Sequence, residues 1–134
     1  MNARKFADTN LFIYAESADG EKTARSLEII EAKPVVSVQV INETVNVLTR
    51  KYSFTLAEAH EVAEGLLDLC EVVPLEVATI REAIRLSKRY ALSHWDSLIV
   101  AAALRAECDT LYSEDMQHGQ TFDGRLTVVN PFLK

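Results

Sequence analysis

The fold of this chain is decided by a segment in which a short apolar strand leads directly into a helix: KPVVSVQVINETVNVLTRK, residues 33–51. Pro34 ends the helix that precedes it. Residues 35–37 do not alternate between polar and apolar side chains, which is typical of a strand buried on both faces. Ser37 is expected to cap a helix that continues to about Lys51. This strand–helix unit predicts an α/β protein with a parallel sheet.

The same alternation of short strands and helices extends along the rest of the chain. We predict strands at residues 5–9, 35–37, 71–75, 110–113 and 126–129, and helices at residues 11–16, 20–32, 38–51, 56–69, 76–90 and 93–107. Residues 117–125 are predicted to form a polar loop. Four glycines and three prolines indicate long elements with short connections. We therefore predict one domain over residues 1–134, a three-layer α/β/α sandwich around a short, mostly parallel sheet.

The composition is that of a globular, acidic protein. Of the 134 residues, 49% are hydrophobic and 25% are charged, which excludes a disordered chain. The net charge of −6 opposes nucleic-acid binding unless a bound metal offsets part of it. Cys70 and Cys108 lie in apolar surroundings and are expected to be reduced core residues. The start, MNARKFADTN, has no apolar signal-peptide core, and the longest apolar run, residues 98–104, is far shorter than a membrane span. We therefore expect a cytoplasmic protein.

Four acidic residues occur where folding alone does not require them: Asp8, Glu43, Asp96 and Asp115. Asp8 and Asp115 fall at the ends of predicted strands, and Glu43 and Asp96 lie in early turns of predicted helices. In a parallel sheet these positions meet at the carboxyl edge, so we expect the four side chains to converge. A hard divalent cation with oxygen ligands would cancel their repulsion. The pattern therefore predicts metal-assisted phosphoryl chemistry.

Each acid also has a purely structural interpretation. Asp8 can cap the helix after it, and Asp96 can belong to a capping box. Asp115 can be an ordinary loop residue, and Glu43 can occupy a solvated helix position. These interpretations require four independent coincidences, whereas one site accounts for all four acids. Trp95 is expected to pack in the core, with contact to a nucleobase as the alternative.

Four motifs, in this order, resemble those of PIN-domain ribonucleases of the kind found as VapC-type toxins: FADTNLFIYA at residues 6–15, VSVQVINE at 36–43, LSHWDSLIVAAA at 92–103 and LYSEDMQHG at 111–119. The resemblance covers essentially the whole chain. Ser97 stands where the family often has alanine, and the lead before the first motif is slightly long. Neither departure removes a carboxylate.

The resemblance implies a metal-dependent endoribonuclease that hydrolyses RNA phosphodiester bonds with Mg²⁺ or Mn²⁺. Carried over by position, the metal ligands and catalytic acids are Asp8, Glu43, Asp96 and Asp115. Asn10 and Ser113 correspond to polar groups that orient the ligands or the substrate. The resemblance also implies a VapB-like antitoxin that blocks the site, and a homodimer. No membrane association is expected.

Two other functions stay open at this point. A Mg²⁺-binding phosphoacceptor signalling domain is also a small α/β fold with acids at strand ends. Such a domain needs an aspartate nucleophile on a middle strand, and the strands at residues 35–37 and 71–75 end without one. A non-catalytic PIN-like module that only binds a partner would not need four intact acids. Titration with Mg²⁺ distinguishes the enzyme from the binding module.

Overall fold

The computed structural model describes residues 3–134, which form six strands and six helices, with a pair of helices after each of the first three strands. In chain order the elements are β1 Lys5–Ala7, α1 Thr9–Glu16, α2 Gly20–Glu31, β2 Val35–Ser37, α3 Val38–Lys51, α4 Leu56–Leu69, β3 Glu71–Val73, α5 Val77–Tyr90, α6 His94–Arg105, β4 Thr110–Tyr112, β5 Thr121–Phe122 and β6 Leu126–Val129. Residues 1 and 2, included in the predicted domain and in the segment inspected for a signal peptide, lie outside the described residues. No helix between residues 3 and 134 has the length and apolarity needed to cross a membrane.

The strands form one sheet in the order β3-β2-β1-β4-β6-β5, and only the β5–β6 pair is antiparallel. Along the chain, β2 and β3 are added on one side of β1, and the last three strands are then added on its other side. Right-handed crossovers therefore place α1 to α4 on one face and α5 and α6 on the opposite face. The helix contacts agree, because α1 packs on α2 and α3, α3 packs on α4, and α5 packs on α6. The predicted α/β/α fold with a mostly parallel sheet is confirmed.

The core encloses the central strands and nearly all of α6. Phe6 of β1, Val36 of β2 and Leu111 of β4 have no exposed surface. Every residue of α6 from position 97 to 104 is buried. Cys70 and Cys108 are buried and unpaired, as predicted. Because the strands are covered on both faces, polar groups can reach solvent only at the strand ends.

One local prediction is wrong, and another holds only in part. The segment predicted as a loop contains β5, which turns into β6 through Asp123 and Gly124, both with left-handed backbone conformations (φ 52° and 65°). The Asp-Gly pair was the available signal, since such turns favour it, but a two-residue strand leaves no periodic pattern. Ser37 occupies the cap position of α3, yet its buried hydroxyl forms no hydrogen bond within the described chain. At the start of α4, by contrast, Thr55 and Glu58 form a complete capping box.

Candidate functional site

Two polar residues follow the adjacent strands β1 and β4 at the centre of the sheet. Asp8 comes directly after β1 and caps α1, because its Oδ1 accepts a hydrogen bond from the Thr9 backbone N–H at 2.7 Å. Ser113 comes directly after β4 and donates its hydroxyl to Asp8 Oδ2 at 2.8 Å. These strands flank the place where the direction of strand addition reverses, and α/β folds bind ligands beyond the carboxyl ends of such strands. The fold itself therefore holds both oxygens of Asp8.

The other three acids reach the same place from different elements. Glu43 is half-buried in the second turn of α3, and Asp96 is half-buried in the first turn of α6. Asp115 is exposed, two residues beyond Ser113. All four acids line one cleft of about 460 Å³, which we call the acidic pocket. Four residues that are far apart in sequence thus share one cavity at the carboxyl edge.

Neutral side chains hold two of these acids by hydrogen bonds. Asn10 Nδ2 donates to Asp115 Oδ2 at 3.2 Å. Glu43 accepts from Thr9 Oγ1 at 2.8 Å and from Gln39 Nε2 at 3.0 Å. Sequence reasoning identified Asn10 but missed Thr9 and Gln39. The signal for Gln39 was its i, i+4 spacing to Glu43 on one helix, and the signal for Thr9 was its place inside the first acidic motif.

Two buried amide oxygens in the acidic pocket have no hydrogen-bond partner within residues 3–134: Asn10 Oδ1 and Gln39 Oε1. Each amide uses its N–H to hold a carboxylate and leaves its oxygen as a free acceptor. A buried acceptor without a partner is destabilising by about 1–3 kcal/mol. The two oxygens therefore indicate a site built for a ligand that brings donors, such as a hydrated cation.

Burial and mutual repulsion raise the pKa of two of the acids. Asp8 is 7% exposed, and its burial raises its pKa to about 6, with further increases from the charges of Asp115 and Glu43. Burial also raises the pKa of Asp96, and the same two carboxylates add to the effect. Lys51 is the single lysine or arginine among the described residues that line the pocket. Acids with raised pKa values and little positive charge around them indicate a functional site.

The donor chemistry of the pocket fits a hard divalent cation. Its acids and amides present only oxygen ligands, which Mg²⁺ and Mn²⁺ prefer. Between residues 3 and 134, however, no three acidic, histidine or cysteine side chains lie close enough together to share one metal ion. Carboxylate repulsion and the hydrogen bonds from neutral side chains favour this spread arrangement. Metal binding stays a prediction, and it requires these side chains to turn towards a common point.

Trp95 does not pack in the core. Its side chain is 65% exposed and lines the acidic pocket next to Asp96. The buried stretch of α6 begins only at Ser97, so the first turn of this helix lies at the rim of the pocket. The prediction that Trp95 is a packing residue is therefore wrong. An apolar residue at a helix start is buried only if the neighbouring elements extend far enough to cover it.

A family model for the PIN domain matches residues 5–121, while no curated protein matches the chain. Among solved structures, a toxin–antitoxin complex from Klebsiella pneumoniae is 19% identical, with a TM-score of 0.73 over 98% of each chain. VapC20 of Mycobacterium tuberculosis, a sarcin-ricin loop cleaving toxin, is 19% identical, with a TM-score of 0.69 over 83% of this chain and 89% of that chain. VapBC2 of Rickettsia felis, bound to a promoter DNA fragment, is 15% identical, with a TM-score of 0.69 over 92% and 96%.

At these identities the solved structures establish a shared fold. The family match establishes more than the fold, because it spans most of the chain and includes Asp8, Glu43, Asp96 and Asp115. This chain therefore belongs to the PIN domain family.

Proposed function

We propose that this protein is a metal-dependent endoribonuclease that hydrolyses RNA phosphodiester bonds and acts as the toxin of a toxin–antitoxin pair. The observation that carries the proposal is the buried Asp8, which shares a pocket with four further carboxylates and one lysine. A fold selected only for stability would pair or remove such charges. Membership of the PIN family favours this function over a phosphoacceptor signalling domain.

The residues that would hold Mg²⁺ or Mn²⁺ are Asp8, Glu43, Asp96 and Asp115. When bound, such an ion supplies stabilisation of phosphate charge and lowers the pKa of a coordinated water. Asn10 and Ser113 orient the ligating side chains, because they already donate hydrogen bonds to Asp115 at 3.2 Å and to Asp8 at 2.8 Å. The amide oxygens of Asn10 and Gln39 are available to accept hydrogen bonds from water.

Glu43 is the acid we assign to orienting the attacking water. Each of its oxygens accepts one hydrogen bond, from Thr9 or from Gln39, and keeps a lone pair for a further donor. Among the described residues no serine, cysteine or histidine lines the pocket, which favours attack by water over covalent catalysis. Attack by water leaves a 5′-phosphate and a 3′-hydroxyl on the products.

The experiment compares Asp96→Asn with Asp68→Asn, a matched change on the exposed side of α4 away from the pocket. The wild-type protein and Asp68→Asn should cleave RNA in Mg²⁺ or Mn²⁺, stop in EDTA, and leave 5′-phosphate ends. Asp96→Asn should remain folded by circular dichroism and lose cleavage. Wild-type cleavage by folded Asp96→Asn, or cleavage in EDTA, would contradict the mechanism.

Metal binding has an independent readout. Mn²⁺ should raise the melting temperature of the wild-type protein, because ligation relieves the repulsion among the gathered carboxylates. At a hundredfold excess over its dissociation constant the ion adds about 2.7 kcal/mol to the free energy of unfolding. An unchanged melting temperature in millimolar Mn²⁺ would count against the site, and a non-catalytic partner-binding module would then account better for the fold.

The proposed partner is a VapB-like antitoxin. Similar chains have been solved in toxin–antitoxin complexes from Klebsiella pneumoniae and Rickettsia felis, which supports this class of partner. The acidic pocket and the net charge of −6 favour an inhibitory segment that inserts a basic side chain. Arginine suits this best, because its planar fork pairs with carboxylates.

Expression of the protein alone should slow bacterial growth, and co-expression with an adjacent small gene should restore it. A harmless protein with which no small neighbouring protein co-purifies would contradict the toxin assignment, even if the nuclease assignment holds. The predicted homodimer is tested by size-exclusion chromatography with light scattering. A cytoplasmic location, where an RNA substrate is available, stays part of the proposal.

A further inference from the structure

Two exposed aromatic side chains stand at the rim of the acidic pocket. Trp95 is 65% exposed and Tyr52 is 44% exposed, and both line the cavity that holds the four acids. Tyr52 directly follows α3, whereas Trp95 lies in the first turn of α6. Tryptophan is usually well buried, so an indole left in solvent beside a candidate active site indicates binding rather than folding.

The helix turn that carries the indole is fixed to the site through the backbone carbonyl of Trp95. Gln39 Nε2 donates to the Trp95 backbone carbonyl at 3.3 Å and to Glu43 Oε1 at 3.0 Å. One buried amide therefore ties the helix turn that carries the indole to one of the acids. The ring of His94 lies edge-on to the indole, with centroids 5.4 Å apart. An aromatic surface that is already positioned loses little freedom when a ligand binds.

The same rim carries the pocket's one cation among the described residues. Lys51 is the last residue of α3, next to Tyr52, and it is exposed. Its ammonium group takes part in none of the ion pairs formed within residues 3–134. A free ammonium group and exposed aromatic rings that line one pocket match the two parts of a nucleotide, because the ammonium attracts the phosphate while the rings stack on the base.

We propose that Trp95, Tyr52 and Lys51 form a subsite for one unpaired nucleotide of RNA, with the base on the aromatic side chains and the phosphate near Lys51. The proposal rests on the ribonuclease function proposed above and restricts its substrate to single strands, loops or bulges. Bases inside a duplex are stacked on their neighbours and cannot offer a free face to a side chain. A partner protein that covers the same aromatic pair is the competing outcome.

Trp95 is the single tryptophan of the chain, so its fluorescence reports directly on this subsite. We would titrate the protein with a single-stranded oligoribonucleotide, with the same backbone lacking bases, and with the same sequence as a duplex. The titrations are run in EDTA, where metal-dependent cleavage cannot proceed, and repeated in Mg²⁺. The base-containing single strand should change the emission, whereas the abasic strand and the duplex should not. Equal responses to all three, or no response in either condition, would overturn the proposal.

Variants then separate the parts of the subsite. Tyr52→Ala and Trp95→Ala should each weaken binding of the single strand by about 5-fold to 150-fold, and Trp95→Phe should retain most of the affinity. Lys51→Ala should weaken binding and reduce its dependence on salt. Val77→Ala is the matched control, because Val77 is 71% exposed on α5 and does not line the pocket. Binding to Trp95→Ala and Lys51→Ala is followed with a dye-labelled oligonucleotide.

Cleavage kinetics distinguish failure of the subsite from failure of the proposed function. Trp95→Ala should raise the KM for RNA more than it lowers kcat, because stacking contributes to binding before the reaction. Cleavage by Trp95→Ala with the wild-type KM would remove the subsite and leave the nuclease intact. Base-dependent fluorescence changes in a protein that never cleaves RNA would support the subsite and contradict the nuclease function. If Trp95→Ala binds RNA normally but loses a co-purifying protein partner, the aromatic pair belongs to that partner.

Discussion

Glu71 at the amino edge of the central sheet and Asp8 at its carboxyl edge are held in opposite ways. At the amino edge, Arg4 precedes β1 and donates two hydrogen bonds to Glu71 at the start of β3, at 2.8 and 2.7 Å, and this contact lowers the pKa of Glu71. At the carboxyl edge, Asp8 forms no ion pair within residues 3–134, and burial raises its pKa to about 6. The same fold supplies a guanidinium where a carboxylate only has to be stabilised. The raised pKa of Asp8 therefore indicates a ligand-binding site at the carboxyl edge, at the expense of stability.

The largest effect that follows from this contrast is on cleavage. Asp8→Asn should reduce RNA cleavage by more than about 100-fold, beyond the 10- to 100-fold that loss of an outer partner of a metal ligand typically causes. Glu71→Gln, the matched change at the amino edge, should cleave at the wild-type rate. Initial rates on a labelled RNA measure both, and circular dichroism confirms folding. Wild-type activity in folded Asp8→Asn would break the comparison.

The contrast also predicts how stability depends on pH without metal. The pKa of Asp8 rises from 3.8 to about 6 on folding, so the folded chain binds this proton more tightly than the unfolded chain. The free energy of unfolding should therefore increase as pH falls from about 7 towards 4, by about 2–3 kcal/mol for this group alone. Glu71 acts in the opposite direction, because its pKa is lowered on folding and its contribution is lost only at more acidic pH.

Urea unfolding in EDTA at pH 7 and pH 5 measures this difference. Asp8→Asn should have a flatter profile between these values, because it lacks the titrating group. If the wild-type protein and Asp8→Asn respond identically to pH, then the ionised carboxylate of Asp8 has a further stabilising partner, and its pKa is not raised on folding.

A smaller effect on activity is expected from a change at Gln39. Its neutral amide donates to Glu43 at the carboxyl edge, whereas the Arg4 guanidinium donates to Glu71 at the amino edge. Gln39→Met keeps the side-chain volume but removes the hydrogen bonds to Glu43 and to the Trp95 carbonyl. Activity should fall by about 10- to 100-fold, as for other groups that orient metal ligands. Thr44→Val is the control, since Thr44 is buried on the same helix and bonds only within it. Equal activity losses in the two variants would show that Gln39 acts through stability alone.

The smallest expected effect is the loss of the ion pair at the amino edge. Both partners are partly exposed, at 37% for Arg4 and 54% for Glu71, so Glu71→Gln should lower the free energy of unfolding by no more than about 1 kcal/mol. The difference should shrink in high salt, because exposed charges are screened. Urea unfolding at low and high salt checks both points. A loss of several kcal/mol would mean that the amino edge depends on this pair more than its exposure indicates.

Secondary structure was predicted correctly where residues close together in the sequence determine it. Strands β2 and β6 and helix α4 have the predicted bounds. The order of the strands could not be predicted, because parallel neighbours such as β1 and β4 pair residues more than a hundred positions apart, for example Phe6 with Leu111. Strand β5 was missed because two residues carry no periodicity.

The sequence by itself determined which four acids to examine, because carboxylates beside apolar elements depart from the usual separation of charged and apolar residues. It also determined the α/β class, since apolar strands alternate with helices. Only the tertiary structure decided that the acids share one pocket, that threonine and amide side chains rather than cations hold Glu43 and Asp115, and that Trp95 stands in solvent. These outcomes depend on which elements become neighbours, and burial and partner choice are properties of packed neighbours rather than of a residue's position along the chain.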